Sequence, residues 1–211
     1  MPVSFDMNNH PRFSDRVFRL GKEVVVVTCA GSGTGRSIAL LFAAAGAAVL
    51  VSDLDERAAA PVAAEIRERA GTAHSLGCDV TRGDHLPRLV AAWVAESGGL
   101  SILVDNASGG GPQPFMMPAC DFRRAFGMNL FTAFRLSQLA ARHMEIVGHG
   151  VILNIPSTAG TLAAARMTAY ASAQAALNHL TRTMACDLGP KTSASTPSRQ
   201  APYARRPLRP C

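Results

Sequence analysis

The chain has 211 residues, 48% hydrophobic and 17% charged, which is enough to bury one substantial core, so a single domain is the default. Its longest apolar stretch, residues 38–51, falls short of the ~20 residues of a membrane span, and the polar residues 1–20 contain no secretory core, so neither insertion nor export is expected. The formal charge of +6 is no sign of nucleic-acid binding: Lys191, Arg199, Arg205, Arg206 and Arg209 supply most of it in an acid-free stretch, with only Tyr203 as aromatic company.

Hydrophobic periodicity alternates strand and helix up to about residue 187. Glu23-Val-Val-Val-Val-Thr28 is a short β-branched run of the kind found in a parallel strand buried on both faces. Ser37–Ala45 reads as a helix, Ala48–Ser52 as a strand, and Glu56–Ala70 as a helix with exposed charges. Ala73–Cys78 is a weaker strand, and Thr81-Arg-Gly-Asp84 resembles a capping box opening a helix that runs to about Ala95. Leu100–Val104 is a fourth strand, Asp121–Val147 is helical in one or two pieces, Gly150–Ile155 is a fifth strand, and Met167–Leu188 is the last long helix. This alternation implies right-handed crossovers and an α/β fold: one Rossmann-type, doubly wound parallel sheet with helices on both faces. Residues 1–20 read as an N-terminal arm and 21–190 as the domain. Residues 191–211, rich in Ser, Thr, Pro and Arg without periodicity, read as a disordered basic tail.

The five cysteines and six histidines show no metal-ligand spacing, so no metal is expected, and scattered cysteines fit a reducing cytoplasm. The first strand leads through Thr28-Cys-Ala-Gly-Ser-Gly-Thr-Gly35 into the first helix. Glycines there let the amides of a helix N-terminus approach a pyrophosphate closely, so Thr28, Gly31, Gly33, Thr34 and Gly35 are cofactor candidates. A cysteine at position 29 is expected to crowd the turn. Asp53, with Leu54 after it, closes the second strand, where a carboxylate accepts ribose hydroxyls and repels a 2′-phosphate. That selects NAD over NADP.

Downstream, Ser157 in Asn154-Ile-Pro-Ser-Thr158 precedes Tyr170 in Met167-Thr-Ala-Tyr-Ala-Ser-Ala-Gln174 by 13 positions. These segments resemble the active-site strand and helix of the short-chain dehydrogenase/reductase family, where a serine and a Tyr-x-x-x-Lys pair transfer a proton beside a nicotinamide. The resemblance spans about residues 20–191 and implies further roles. Gly33 and Gly35 match the second and third glycines of the family's loop, and Cys29 stands where the first belongs. Asp79 and Val80 match its adenine-contacting pair. Asp105-Asn-Ala-Ser108 resembles its Asn-Asn-Ala-Gly turn, with Asn106 retained on the adenosine side. Asn129, in Phe126-Gly-Met-Asn-Leu-Phe131, matches the asparagine that holds a relay water, and Tyr170 and residue 174 also meet the nicotinamide ribose. Within the family, residues 101–190 look most like the branch acting on the 7α-hydroxyl of bile acids. The matching segments are Asn106–Phe115, Asp121–Phe126, Leu136–Leu139 and Cys186–Gly189. That likeness implies a steroid substrate bound near Gly110, Ser157 and Tyr170.

The sequence departs from the family at Gln174, which replaces the lysine. A free phenol titrates near 10, and the lysine's charge favours the phenolate; an amide can still reach a ribose hydroxyl but supplies no charge. A loss of roughly 10²–10⁴-fold in rate is expected. The tail departs too. Restoring one adenine after the codon for Lys191 lets residues 191–204 decode as Lys-Asn-Ile-Arg-Val-Asn-Ala-Ile-Ala-Pro-Gly-Ala-Ile-Arg, the family's next strand and Pro-Gly turn. The tail is therefore read as a frameshift product and the domain as lacking its last strands. The family pairs subunits through its two long helices and, for tetramers, through C-terminal elements, so a homodimer or a monomer is expected rather than a tetramer. Three functions remain open: an NAD-dependent hydroxysteroid oxidoreductase, a reductase of another carbonyl such as an acyl thioester, and a catalytically silent nucleotide-binding or subunit-interaction protein.

Overall fold

The computed structural model describes residues 19–189. The expectations for the N-terminal arm up to residue 18 and for a frameshift in the basic tail, residues 191–211, lie outside them.

Five strands form one parallel sheet: β1 (Val24–Val27), β2 (Ala48–Asp53), β3 (Thr72–Gly77), β4 (Ile102–Asp105) and β5 (Val151–Asn154), in the order β3-β2-β1-β4-β5. Successive side chains of a strand point to opposite faces, and β1 shows why its sequence had to be apolar throughout. Val25 and Val27 enter one core layer with Val49, Val51, Val62 and Ile66, under α1 (Gly33–Ala44) and α2 (Glu56–Glu68). Val26 enters the other with Leu50, Leu103, Leu89, Trp93 and Leu136, under α3 (His85–Ser97) and α5 (Thr132–Val147). Each fully buried aliphatic side chain contributes about 1.5–3 kcal/mol.

The helical region after β4 is continuous but not uniform. The helix α4 (Ala119–Phe126) runs through a π-helical turn, Gly127–Phe131, into α5. A local cause is visible: the Asn129 side chain donates to the Ala125 carbonyl one turn back, at 2.8 Å, and competes with the backbone for it. The last helix, α6 (Thr168–Leu188), follows a 3₁₀ turn at Thr158–Gly160. The expected capping box at Thr81 is not formed. Helix α3 starts at His85, its N-cap Asp84 makes no side-chain cap bond, and the Thr81 hydroxyl donates instead to Asp79 at 2.6 Å. Among the described residues no helix is long and apolar enough to cross a membrane, and no cluster of His, Cys, Asp or Glu could hold a metal ion.

Candidate active site

The strand order reverses direction between β1 and β4, so the chain leaves their carboxyl ends to opposite sides and opens a crevice there. Thr28 ties its two lips together. Its hydroxyl donates to Asp105 Oδ1 at 2.7 Å and accepts the backbone N–H groups of Asn106 and Ala107, each at 3.0 Å. Asp105 is almost wholly buried, and desolvation pushes its carboxyl up to about 6 against the opposing pull of Thr28 and Ala107.

The glycine loop fills the first lip. A Cβ on Gly35 would come within 2.7 Å of Asn106 Nδ2 and closer still to the Cys29 carbonyl, so only glycine allows α1 to start this close to the loop. Gly33 and the exposed Thr34 begin that helix, whose first turn has no acidic residue and whose early amides point outward. Cys29 does not crowd the turn as the sequence suggested. Its backbone adopts φ 50° and its side chain stays exposed, so the misfit is stored as left-handed backbone rather than as a clash. Partial burial, and then Asp53 and Asp105 nearby, push the Cys29 thiol upward. Asp53 Oδ2 accepts the Gly31 N–H at 2.9 Å, which fixes the carboxylate beside the loop, and Leu54 stands exposed next to it. Asp79 is held by Thr81, whose hydroxyl and amide keep its carboxyl below the ordinary range, and Val80 packs its side chain into the core. Asn106 is half-buried and donates to the carbonyls of Thr28 and Cys29 at 3.3 and 3.1 Å.

The second lip carries the reactive groups. Ser157 follows β5, and its Oγ accepts the Ala159 N–H at 3.2 Å. Tyr170, half-buried in the first turn of α6, lies against Gly110: a Cβ there would sit 3.5 Å from the Tyr170 ring. Gly110 has φ +124°, which only glycine adopts readily, so the loop after β4 can lie flat over the tyrosine. Asn129 and Gln174 are each 1% exposed. The Gln174 amide is occupied at both ends, by the Ser157 N–H at 3.0 Å and by Asn129 Oδ1 at 3.2 Å. It is thus a tie within the wall, buried rather than turned out to the mouth for the ribose contact expected of it. One connection escaped the sequence reading. Gln113 donates its N–H to the carbonyl of Arg166 at 2.7 Å, joining the loops on either side of the mouth, and no sequence signal marks a backbone bond of that kind.

The comparisons agree with this geometry. The family described as short chain dehydrogenase matches residues 23–195. The 7alpha-hydroxysteroid dehydrogenase of Escherichia coli (strain K12) is 47% identical over 85% of this chain and 70% of its own length. A solved 7alpha-hydroxysteroid dehydrogenase complexed with NADH and 7-oxo glycochenodeoxycholic acid superposes with a TM-score of 0.80 at 48% identity, covering 81% of this chain and 67% of that one. An NAD+-bound xylitol dehydrogenase superposes with a TM-score of 0.77 at 32% identity, over 81% and 66% of the two chains. With its switch-point crevice, glycine loop and Ser157–Tyr170 wall, the chain belongs to the short-chain dehydrogenase family.

Proposed function

We propose that the chain is an NAD-dependent oxidoreductase that interconverts a secondary alcohol and a ketone, with a 7α-hydroxysteroid of the bile-acid type as substrate. The strand order supports this reading: the glycine loop and Asp53 follow β1 and β2, while Gly110 and Ser157 follow β4 and β5 on the other side of the switch point, with Tyr170 packed on Gly110. The 47% identity to a 7alpha-hydroxysteroid dehydrogenase supports the steroid.

The residues fit a dinucleotide. The first turn of α1 carries no acidic residue and its leading amides have no partner within the helix, and the space where a Cβ of Gly33 would stand is open to 4 Å. Asp53, anchored by Gly31, would hold the ribose hydroxyls with its carboxylate, and Asp79, Val80 and Asn106 would line the adenosine side. When bound, the nicotinamide gives or takes the hydride. The chain's own residues manage the oxygen. Ser157 Oγ already accepts from Ala159, which leaves its hydrogen to donate to the substrate oxygen. Tyr170 gives that oxygen its proton in reduction and takes it in oxidation. Equilibrium titration should show NADH binding at least tenfold tighter than NADPH, together with turnover of a 7α-hydroxy bile acid; equal affinities would reject the assignment to NAD.

Gln174 favours a second reading, binding without turnover, because it supplies no charge to stabilise a phenolate. Its signature is a measurable NADH dissociation constant with no product. We also propose a cytoplasmic homodimer formed through the outer faces of α5 and α6. Phe134 of α5, with Phe131 of the π turn just before it, 40% and 59% exposed, is apolar surface that such an interface would cover. Sizing by light scattering should give a dimer, and a stable tetramer would contradict it.

A further inference from the structure

Four segments are joined through the side-chain amides of Gln174 and Asn129. Gln174 Oε1 accepts from Ser157 in the turn after β5, and its Nε2 donates to Asn129 in the π turn. Asn129 in turn accepts the Gly109 N–H at 3.0 Å and donates to the carbonyls of Gly109 and Ala125 at 2.7 and 2.8 Å. The two backbone donors fix both amide orientations, since an N–H can meet only an oxygen. The network therefore runs from β5 through α6 and the π turn to the loop after β4, the segments that carry Ser157, Tyr170 and Gly110. The 3₁₀ turn rests on the same point: a Cβ on Gly160 would lie 2.8 Å from the Gln174 backbone carbon.

We propose that Gln174 is a positioning residue that holds Ser157, Tyr170 and the Gly109–Gly110 loop in register by accepting and donating at once. The proposal rests on the reading of this wall as the reactive side of an oxidoreductase site. A lysine at this position has three donors and no acceptor. It can replace the contact to Asn129, but it leaves the Ser157 N–H without its partner. Restoring the family's charge by Gln174→Lys alone would thus loosen the serine it is meant to serve.

Residue-resolved hydrogen exchange on the full chain tests this, comparing wild type with Gln174→Leu, Gln174→Lys and Gln174→Glu at pH 5 and pH 8 after correction for intrinsic rates. In the Leu and Lys variants the Ser157 amide should exchange at least tenfold faster, while Val25–Val27 in the sheet centre keep wild-type rates. The Glu variant supplies the conservative control. Its carboxyl accepts from Ser157 in either state but donates to Asn129 only when protonated, and with neutral partners and deep burial the protonated form is favoured at low pH. Gly109 protection should therefore match wild type at pH 5 and fall at pH 8. Unchanged Ser157 exchange in the Leu and Lys variants, acceleration of every amide alike, or Gly109 exchange in the Glu variant already faster than wild type at pH 5 would each overturn the proposal. The measurement needs neither cofactor nor substrate, so its failure is distinct from a failure of NADH binding in the wild type.

Discussion

Asp105 carries an avoidable cost. Its neutral form is favoured in the fold, so ionisation destabilises the protein as pH rises from the ordinary 3.8 through about 6. The displacement corresponds to at most ~3 kcal/mol once the carboxylate is fully formed. Asparagine has the same shape, stays neutral and can still accept from the Thr28 hydroxyl, at the cost of one buried amide hydrogen pair. Asp105→Asn should therefore raise stability by about 1–3 kcal/mol at pH 7 to 8, and the gain should vanish near pH 4. Denaturant titrations of both proteins across that range decide it. The Asn-Asn-Ala-Gly comparison had marked position 105 as a substitution, but its consequence was hidden because burial is not written in a motif. Cys29 was legible in the same partial way: the sequence located the misfit, and only the backbone showed that it is held as a left-handed residue.

The strands were legible because a parallel sheet covered on both faces demands apolar runs rich in β-branched residues, and β1, β2 and β4 have them, broken only by the polar residues that close β2 and β4. The π turn was not, because it depends on where one asparagine side chain points. Helix α2 shows the opposite case, a breaker inside an element. Pro61 lies in its interior, where it lacks the N–H that would reach Arg57 and its ring presses on that carbonyl. Helix formation prevails because Ala59, Val62, Ala63 and Ile66 bury one face against the sheet. Pro61 itself is exposed, so Pro61→Ala removes the backbone defect without opening a cavity. A gain of roughly 1–3 kcal/mol is expected from the denaturant midpoint, and an unchanged midpoint would show that the helix has already relaxed around the ring.

Over the whole molecule, fold and site were readable together, because in a doubly wound sheet the order of elements decides where the crevice opens. What stayed unreadable was the wiring of the second lip, where Gln174 looked like a lost charge and is an occupied amide. The bond between Thr28 and Asp105 joins residues 77 positions apart in the chain. Bringing the two lips together closes a loop of that length, whose entropy opposes early contact, so the crevice is expected to form late in folding rather than to seed it. Thr28→Val, which keeps the shape and removes the hydroxyl, should then speed unfolding far more than it slows refolding, giving a φ-value near zero in stopped-flow chevrons. A value near one would mean that β1 and β4 meet first. With a late crevice, a newly made chain acquires affinity for a dinucleotide only once its central strands are paired, and ligand-induced fluorescence during refolding would time that closure directly.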